Sequence, residues 1–294
     1  MTTTASTTNP LGIHALVWVG DTSPASVEKA ITSTSAAGYD LLEFSLHDSV
    51  NFDLPSTKAL LAEHGLRTAC SRGLARDADV SSEDPAVVAR GQQLLHDSLA
   101  TTAGIGGTVL TGALYSAFGK APGPLSKTGR DNVVGVLREL AAEAAPLGVT
   151  LGLEVCNRYE TNVVNTAHDA LLLADDIAAD NVMVHLDIYH MNIEEDDFVT
   201  PVLEVGDRLG YVHVGENHRG YLGSGHLDFP TFFGALAQIG YAGPVTFESF
   251  SSTVLAPGLS NDLAIWRNLW DDGADLAAHA HAFMADGLAL AHRG

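Results

Sequence analysis

The feature that most constrains the fold is a regular alternation of short apolar runs with segments of helical periodicity. The runs are rich in Val, Leu and Ile, as buried strands are. The helical segments open on capping residues, and those at 23–38 and 132–148 close on a glycine. Eight strands that alternate with helices over most of the chain predict an α/β fold, the single-domain (β/α)8 TIM barrel. The eight runs are LGIHALVW (11–18), DLLEFSL (40–46), RTACSRGL (67–74), GTVLTGAL (107–114), VTLGLEV (149–155), VMVHLD (182–187), GYVHVGE (210–216) and GPVTFESF (243–250).

A doubly wound open sheet is the competing arrangement. Such sheets usually carry a glycine-rich phosphate loop after the first strand, and VWVGDTSP (17–24) lacks the G-x-G-x-x-G pattern. The sequence shows no linker and no shift in composition. We therefore predict one barrel domain, 11–294, which ends in an amphipathic helix (272–291) and follows a polar, disordered tail (1–10).

Charge and cysteine content exclude several classes of protein. With 15 Lys and Arg against 36 Asp and Glu, the formal net charge is −21, which argues against a nucleic-acid or anionic membrane partner. No apolar run reaches the roughly 18 residues of a membrane span. The two cysteines predict no disulfide framework, and the first residues lack the pattern of a signal peptide. These features predict a cytoplasmic protein.

Four ionisable side chains lie at the ends of predicted strands five to eight: Glu154, Asp187, His213 and Glu248. In TIM barrels the carboxyl ends of the strands meet at the active site. An unpaired carboxylate inside a barrel costs several kcal/mol, and a divalent cation is the simplest partner that satisfies all four groups. Three carboxylates and one imidazole suit Mn²⁺, Mg²⁺ or Co²⁺. A buried acid–histidine network without metal remains an alternative, and Asp187 alone is also a good helix N-cap.

Four motifs carry a resemblance to a known family. They occur in order, and the similarity extends from GIHALVW (12–18) to IWRNLW (265–270). The chain resembles the D-tagatose 3-epimerase / D-allulose (D-psicose) 3-epimerase family of ketose 3-epimerases. The motifs are LEVCNRYETN (153–162), HLDIYHMNIEE (185–195), YVHVGENHRGYLGSGHLDF (211–229) and VTFESFSS (245–252).

The resemblance implies roles for most of the polar residues in these motifs. Glu154, Asp187, His213 and Glu248 match the metal ligands of the family, with Mn²⁺ as the first candidate and Co²⁺ or Mg²⁺ as alternatives. Glu154 and Glu248 also match its acid/base pair. The residues that match contacts to the O1–O3 end of the sugar are Glu160, His190 and Arg219. Relatives form dimers or tetramers, which implies a homodimer or homotetramer here.

Other residues give weaker signals. Phe118 resembles the aromatic residue that closes the pocket over the sugar, and Phe250 resembles a wall residue, although either also suits an apolar core. His14, at the end of the first strand, suits a sugar hydroxyl or a core position. Glu43 is interpreted as a structural partner behind the ligands rather than as a ligand. Two further expectations concern Arg72, which points out of the barrel or narrows the range of sugars, and His47, which lies at the surface.

The residue types agree with epimerisation at C3 of a free ketose. Inversion removes the proton beside the C2 carbonyl and returns one to the opposite face, through a cis-enediolate that a divalent cation stabilises. Two acid/base groups on opposite faces are therefore needed, whereas a carbonyl-shifting isomerase manages with one. The paired glutamates favour epimerisation of D-fructose/D-allulose, D-tagatose/D-sorbose or L-ribulose/L-xylulose. An aldose–ketose or hydroxypyruvate isomerase and a non-catalytic sugar-binding barrel are the alternatives.

Overall fold

Eight parallel strands close into a barrel in the computed structural model, which describes residues 9–47 and 52–293. Each strand pairs with the next one along the chain, and the last pairs with the first, so that Ile13 lies opposite Phe247. The predicted single-domain TIM barrel is confirmed. The strands are β1 Leu11–His14, β2 Leu41–Ser45, β3 Arg67–Ser71, β4 Val109–Thr111, β5 Thr150–Glu154, β6 Val182–Asp187, β7 Leu209–Val214 and β8 Val245–Phe247.

The helices surround the barrel, and most of them begin at a side-chain cap. Ser23 Oγ accepts a hydrogen bond from Ser26 N, and Asp84 Oδ1 accepts one from Ala86 N, with a proline next in both cases. These caps satisfy backbone N–H groups that have no partner inside the helix. The helices are α1 Pro24–Ala36, α2 Leu54–Glu63, α3 Pro85–Gly104, α4 Lys127–Ala144, α5 Ala167–Ile177, α6 Ile188–Glu194, α7 Thr200–Val205, α8 Phe229–Gln238, α9 Pro257–Asp262 and α10 Gly273–Ala291.

The first strand is shorter than the predicted run 11–18. It ends at His14, and a 3₁₀ helix, Ala15–Val17, follows. His14 Nδ1 accepts a hydrogen bond from Leu16 N at 3.2 Å, which stabilises this turn. The chain therefore leaves the sheet at His14, and the imidazole remains at the mouth of the barrel.

The interior of the barrel contains a layer of polar side chains. Glu43, His185 and Tyr211 have no exposed surface, and Thr246 Oγ1 donates a hydrogen bond to Tyr211 Oη at 2.9 Å. Gly12 makes room for this layer, because a Cβ at that position would lie 2.3 Å from Thr246 Oγ1. Burial of polar side chains costs free energy unless they are hydrogen-bonded. A buried polar layer therefore indicates a functional site in this part of the barrel.

The structure describes the chain from Asn9 at the N-terminal end and through the C-terminal helix to residue 293. Residues 1–8 of the predicted tail lie outside the described residues. Asn9 is buried, and its Nδ2 donates hydrogen bonds to Tyr241 O at 2.9 Å and Gly243 O at 3.0 Å. The C-terminal helix is α10, which packs on α8 and β1. Within residues 9–47 and 52–293, no helix is long and apolar enough to cross a membrane.

Candidate active site

The four predicted metal ligands converge at one end of the barrel. Glu154 and Asp187 are the last residues of β5 and β6, His213 lies near the end of β7, and Glu248 follows β8. All four are buried. His213 Nδ1 lies 3.5 Å from Glu154 Oε1 and 3.6 Å from Glu248 Oε1. One ligand atom each from Asp187, His213 and Glu248 falls within 4.8 Å of the others.

A hydrogen bond to Glu43 fixes the orientation of the His213 ring. His213 Nε2 lies 2.8 Å from Glu43 Oε2, and because a carboxylate only accepts, Nε2 carries the proton. Tyr211 Oη donates to the same oxygen at 2.8 Å. His213 Nδ1, the other ring nitrogen, has no hydrogen-bond partner among the described residues. This nitrogen faces the carboxylates of Glu154 and Glu248.

This arrangement fits a divalent cation. An imidazole lone pair that faces two carboxylates at 3.5–3.6 Å is repulsive unless a positive charge lies between them. Burial lowers the pKa of His213, but Glu43 and Glu248 outweigh burial and raise it well above the usual range. A proton on Nδ1 is thus one source of that charge. A divalent cation with the same ligands is the other, and imidazole with carboxylate oxygens suits it.

Asp187 is placed so that its two carboxylate oxygens have different surroundings. Its Oδ1 accepts a hydrogen bond from Tyr189 N at 2.8 Å and so caps α6. Its Oδ2 lies 3.4 Å from Arg219 NH1 and 3.6 Å from His190 Nε2. The cap leaves one carboxylate oxygen facing the site, and the N-cap interpretation and the metal-ligand interpretation are compatible.

Arg219 forms the cationic wall of the site. Its NH1 lies 2.6 Å from Glu248 Oε2, and its guanidinium stacks on the ring of Tyr189 at 3.7 Å and on that of Phe250 at 5.0 Å. The residue adopts a left-handed backbone, with φ of 62°. Ser249 Oγ donates to Arg219 O at 2.5 Å, which holds this unusual conformation.

Trp270 supports that contact from the other side. Its Nε1 donates to Ser249 Oγ at 2.9 Å, and both side chains are buried. The hydroxyl of Ser249 therefore has a donor behind it, and its own proton is directed to the carbonyl of Arg219. A chain of hydrogen bonds thus runs from Trp270, beyond the barrel, to the backbone of Arg219.

Glu154 has the protonation properties of a group that exchanges protons near neutral pH. Burial raises the pKa of Glu154 to about 7, and the carboxylates of Glu248 and Asp187 act in the same direction, partly offset by His213. A general acid or base works best when its pKa lies near the operating pH. A carboxyl group with such a pKa is suited to both accept and return a proton.

A cavity that opens to solvent lies above this cluster. Asp187 and His213 lie below its floor and have no exposed surface. The structure brings all the predicted substrate contacts to this one cavity, and their roles stay predictions. Its lining includes His14, Phe118, Glu154, Glu160, His190, Arg219, Glu248 and Phe250.

Phe118 covers one side of the cavity, in contact with the backbone after β3. Its N donates to Leu74 O at 3.1 Å. Gly73 is required for this position, because a Cβ there would lie 1.8 Å from Phe118 Cε2. The ring is partly buried against the apolar core and also faces the cavity, so its two sequence interpretations coexist.

The rim formed by β2 and β3 contains two residues with stated expectations, His47 and Arg72. His47, expected at the surface, lines the cavity, and its Nε2 lies 3.5 Å from Asp262 Oδ2 at the end of α9. Arg72 points into the barrel mouth rather than out of it, since it is buried and its NH1 donates to Leu46 O. Ser71, which the sequence analysis had not singled out, lies 3.3 Å from His14 Nε2 and also lines the cavity.

Comparison with known proteins agrees with the geometry. The model of the xylose isomerase-like TIM barrel family matches residues 31–285. L-ribulose 3-epimerase of Methylomonas sp. (strain DH-1) is 51% identical over 273 residues, which are 93% of this chain and 96% of that protein. The ketose 3-epimerase of Arthrobacter globiformis is 49% identical over 278 residues, 95% of this chain and 96% of its own. The chain belongs to the ketose 3-epimerase family.

Ketose 3-epimerases of known structure share the fold in detail. The D-allulose 3-epimerase from Methylomonas sp., solved in complex with D-allulose, superposes with a TM-score of 0.92 at 50% identity, over 95% of this chain and 96% of that one. Since ketose 3-epimerases are isomerases that act on carbohydrates, the predicted enzyme class is confirmed.

Proposed function

We propose that the protein interconverts the C3 epimers of free ketoses and that it depends on a divalent cation. The observation that carries this proposal is the position of Glu154 and Glu248, whose carboxylates lie at nearly equal distances, 3.5 and 3.6 Å, from His213 Nδ1. Inversion of a carbon requires one group that removes a proton and a second that supplies one on the opposite face. Glu154 and Glu248 supply two such groups next to one point, and we propose that they face opposite sides of the bound sugar.

The cation would be held by Glu154, Asp187, His213 and Glu248, with Mn²⁺ as the first candidate and Co²⁺ or Mg²⁺ as alternatives. When bound, it would supply Lewis-acid stabilisation of the negative charge that develops on the sugar oxygens. Either glutamate then removes the C3 proton of one epimer, and the other glutamate returns a proton to the opposite face of the enediolate. The fixed guanidinium of Arg219 adds positive charge beside Glu248.

The cavity lining suits a sugar, which presents polar hydroxyl groups and apolar C–H faces. Polar side chains gather around the cluster, and Phe118, Phe250, Leu259 and Leu263 cover other parts of the cavity. The names of the relatives supply candidates: L-ribulose 3-epimerase and D-allulose 3-epimerase. We therefore propose L-ribulose/L-xylulose and D-allulose/D-fructose as substrate pairs, with D-tagatose/D-sorbose as a third.

Product analysis tests the reaction. We expect that incubation of the Mn²⁺-loaded protein with D-fructose, followed by chromatography, yields D-allulose. D-glucose or D-mannose instead would identify an aldose–ketose isomerase, and no product from any of the three pairs would favour a sugar-binding barrel. Rates on all six ketoses with one metal would rank the substrates.

The assembly and location of the protein are proposed by the same reasoning. Trp266 is 73% exposed and Leu290 is 64% exposed, so both side chains are accessible to a second subunit. They support a homodimer or homotetramer, and light scattering during size-exclusion chromatography measures which one forms. The two buried, unpaired cysteines, Cys70 and Cys156, agree with a cytoplasmic location.

A further inference from the structure

One buried asparagine contacts two of the predicted sugar-binding residues at once. Asn157 lies in the loop after β5 and is 2% exposed. Its Nδ2 lies 2.9 Å from Glu160 Oε1 and 2.8 Å from His190 Nδ1. Its backbone N also lies 3.2 Å from His190 Nδ1. The proposed reaction assigns Asn157 no part in the chemistry, yet these contacts join the two side chains.

The contacts determine which way the asparagine amide points. Tyr159 N donates a hydrogen bond to Asn157 Oδ1 at 2.9 Å. A backbone N–H can only donate, so the atom beside it is the amide oxygen, and the other atom is Nδ2. Both protons of Nδ2 then have acceptors, one on Glu160 and one on His190.

The same logic determines the tautomer of His190. The backbone N–H of Asn157 can only donate, so His190 Nδ1 must accept and carries no proton. The single proton of the neutral ring is therefore on Nε2. That nitrogen faces the cavity side, where the nearby carboxylate oxygens lie at 3.6 Å (Asp187), 3.8 Å (Glu154) and 3.9 Å (Glu160). These distances exceed hydrogen-bond length, so Nε2–H is available to a ligand oxygen.

We propose that Asn157 is a positioning residue that fixes His190 as a hydrogen-bond donor and holds Glu160 as the neighbouring acceptor for the sugar. The site then presents a donor and an acceptor side by side, which matches a hydroxyl group that must both accept and donate. This inference rests on the proposed function only for the identity of the ligand. The tautomer itself is a property of the free protein.

Two substitutions distinguish positioning from packing. Asn157→Asp keeps the shape but replaces the amide donor with a carboxylate, which attracts the ring proton to His190 Nδ1 and repels Glu160. Asn157→Ala removes volume but keeps the backbone donor to His190. Under the proposal, kcat/KM of Asn157→Asp is at least roughly 10-fold lower than kcat/KM of Asn157→Ala. A loss of this size is typical when a hydrogen bond to a charged or reacting group is removed. A role in packing alone predicts the reverse order, and that result would overturn the proposal.

A measurement without turnover tests the tautomer directly. In the Mg²⁺-loaded parent, ¹H–¹⁵N correlation spectra of the His190 ring should show a protonated Nε2 and an unprotonated Nδ1. In Asn157→Asp the new carboxylate competes with the backbone N–H for His190 Nδ1, so the proton should move to Nδ1 and the backbone hydrogen bond should be lost. In Asn157→Ala the backbone hydrogen bond remains and the proton should stay on Nε2. A parent with Nδ1 protonated would refute the assignment, even if the variants fail to fold.

A matched control variant tests whether the effect is specific to Asn157. Asn181 is a matched control, because its Nδ2 donates to Ala141 O and Val149 O beside the amino end of β6, remote from the cavity. Asn181→Asp should lower thermal stability and leave kcat/KM within about 2-fold of the parent, since no proposed site residue is touched. A similar loss in Asn181→Asp and Asn157→Asp would show a general effect of the substitution and overturn the proposal. If the spectra show the expected tautomer but no ketose is converted, only the proposed function fails.

Discussion

His213 Nε2 donates a hydrogen bond to Glu43 Oε2 at 2.8 Å, below the four side chains that we propose as metal ligands. The contact crosses the interior of the barrel, since Glu43 belongs to β2 and His213 to β7. It fixes the ring orientation and increases the basicity of Nδ1, as carboxylate partners of metal-binding histidines do. Glu43 is thus a structural partner of the site, as the sequence analysis had proposed.

Removal of Glu43 should weaken metal binding. Glu43→Ala leaves the buried Nε2–H of His213 without an acceptor, and we expect Mn²⁺ affinity to fall by about 10- to 100-fold. Titration calorimetry of the metal-free variants measures the change. Tyr211→Phe is the control, because it removes the other hydrogen bond to Glu43 Oε2 and leaves that of His213 intact. Equal affinity in Glu43→Ala and the parent would exclude this function of Glu43.

Metal removal should abolish activity and lower stability. Exhaustive chelation should stop turnover, and Mn²⁺ or Co²⁺ should restore it better than Ca²⁺. Mn²⁺ at about 100 times its Kd should stabilise the fold by about 2.7 kcal/mol, because the ion binds only the folded state. Melting curves with and without metal measure this. An unchanged melting temperature at saturating Mn²⁺ would contradict a site with four ligands.

Substitution of single proposed metal ligands tests where the cation binds. Asp187→Asn and His213→Ala should each lose Mn²⁺ affinity, because each removes a proposed ligand. His168→Ala is a matched histidine control, since His168 is exposed and pairs with Glu204 on the outer helices at 2.6 Å. Its affinity should equal that of the parent. Parental affinity in both ligand variants would show that the ligand assignment is wrong.

Glu154 and Glu248 should each act as the base for a different epimer. Glu154→Gln and Glu248→Gln should each lose net epimerisation by several orders of magnitude, because inversion cannot be completed with one base. Each variant should still exchange the C3 hydrogen of one epimer with deuterium from solvent, and the two should prefer opposite epimers. Mass spectrometry of D-fructose and D-allulose measures the exchange. Near-parental epimerisation in either variant with Mn²⁺ bound would exclude the two-base mechanism.

Loss of the Ser249 hydroxyl should affect catalysis through Arg219. Ser249→Ala removes the hydrogen bond to Arg219 O, and the left-handed backbone at Arg219 loses its support. We expect kcat/KM to fall by about 10-fold with unchanged Mn²⁺ affinity. Ser251→Ala is the control, since this buried hydroxyl contacts Thr253 Oγ1 at 2.9 Å and not Arg219. Equal effects of the two substitutions would argue against a specific contribution of Ser249.

Much of the fold was predictable because strand and helix periodicities are local properties of the sequence. The predicted metal ligands could be named because each is an ionisable residue near the end of an apolar strand, where few alternatives satisfy its charge. The first strand was predicted too long, because the side chain of His14 turns the chain by accepting from Leu16 N. Nothing in the apolar run 15–18 reveals that contact.

Other site residues carry no local signal. Asn157 reads as an ordinary loop residue, and only the positions of His190 and Tyr159 show what its amide contacts. His47 has polar neighbours in the sequence, and its place at the cavity depends on α9, more than 200 residues away, as its contact with Asp262 shows. Contacts of this kind arise from tertiary packing and have no counterpart in periodicity.

The cavity is divided between two halves of the barrel, and this division has a consequence for how new sugar preferences arise. The proposed chemistry lies on β5–β8, whereas Ser45, His47 and Ser71 on or after β2 and β3, together with Leu259 and Leu263 at α9, line other parts of the wall. None of these five is a proposed metal ligand or base. Substitutions there can reshape the space around the far end of a sugar while the proton-transfer machinery is inherited intact. Laboratory evolution of sugar preference therefore has a natural target in these five positions.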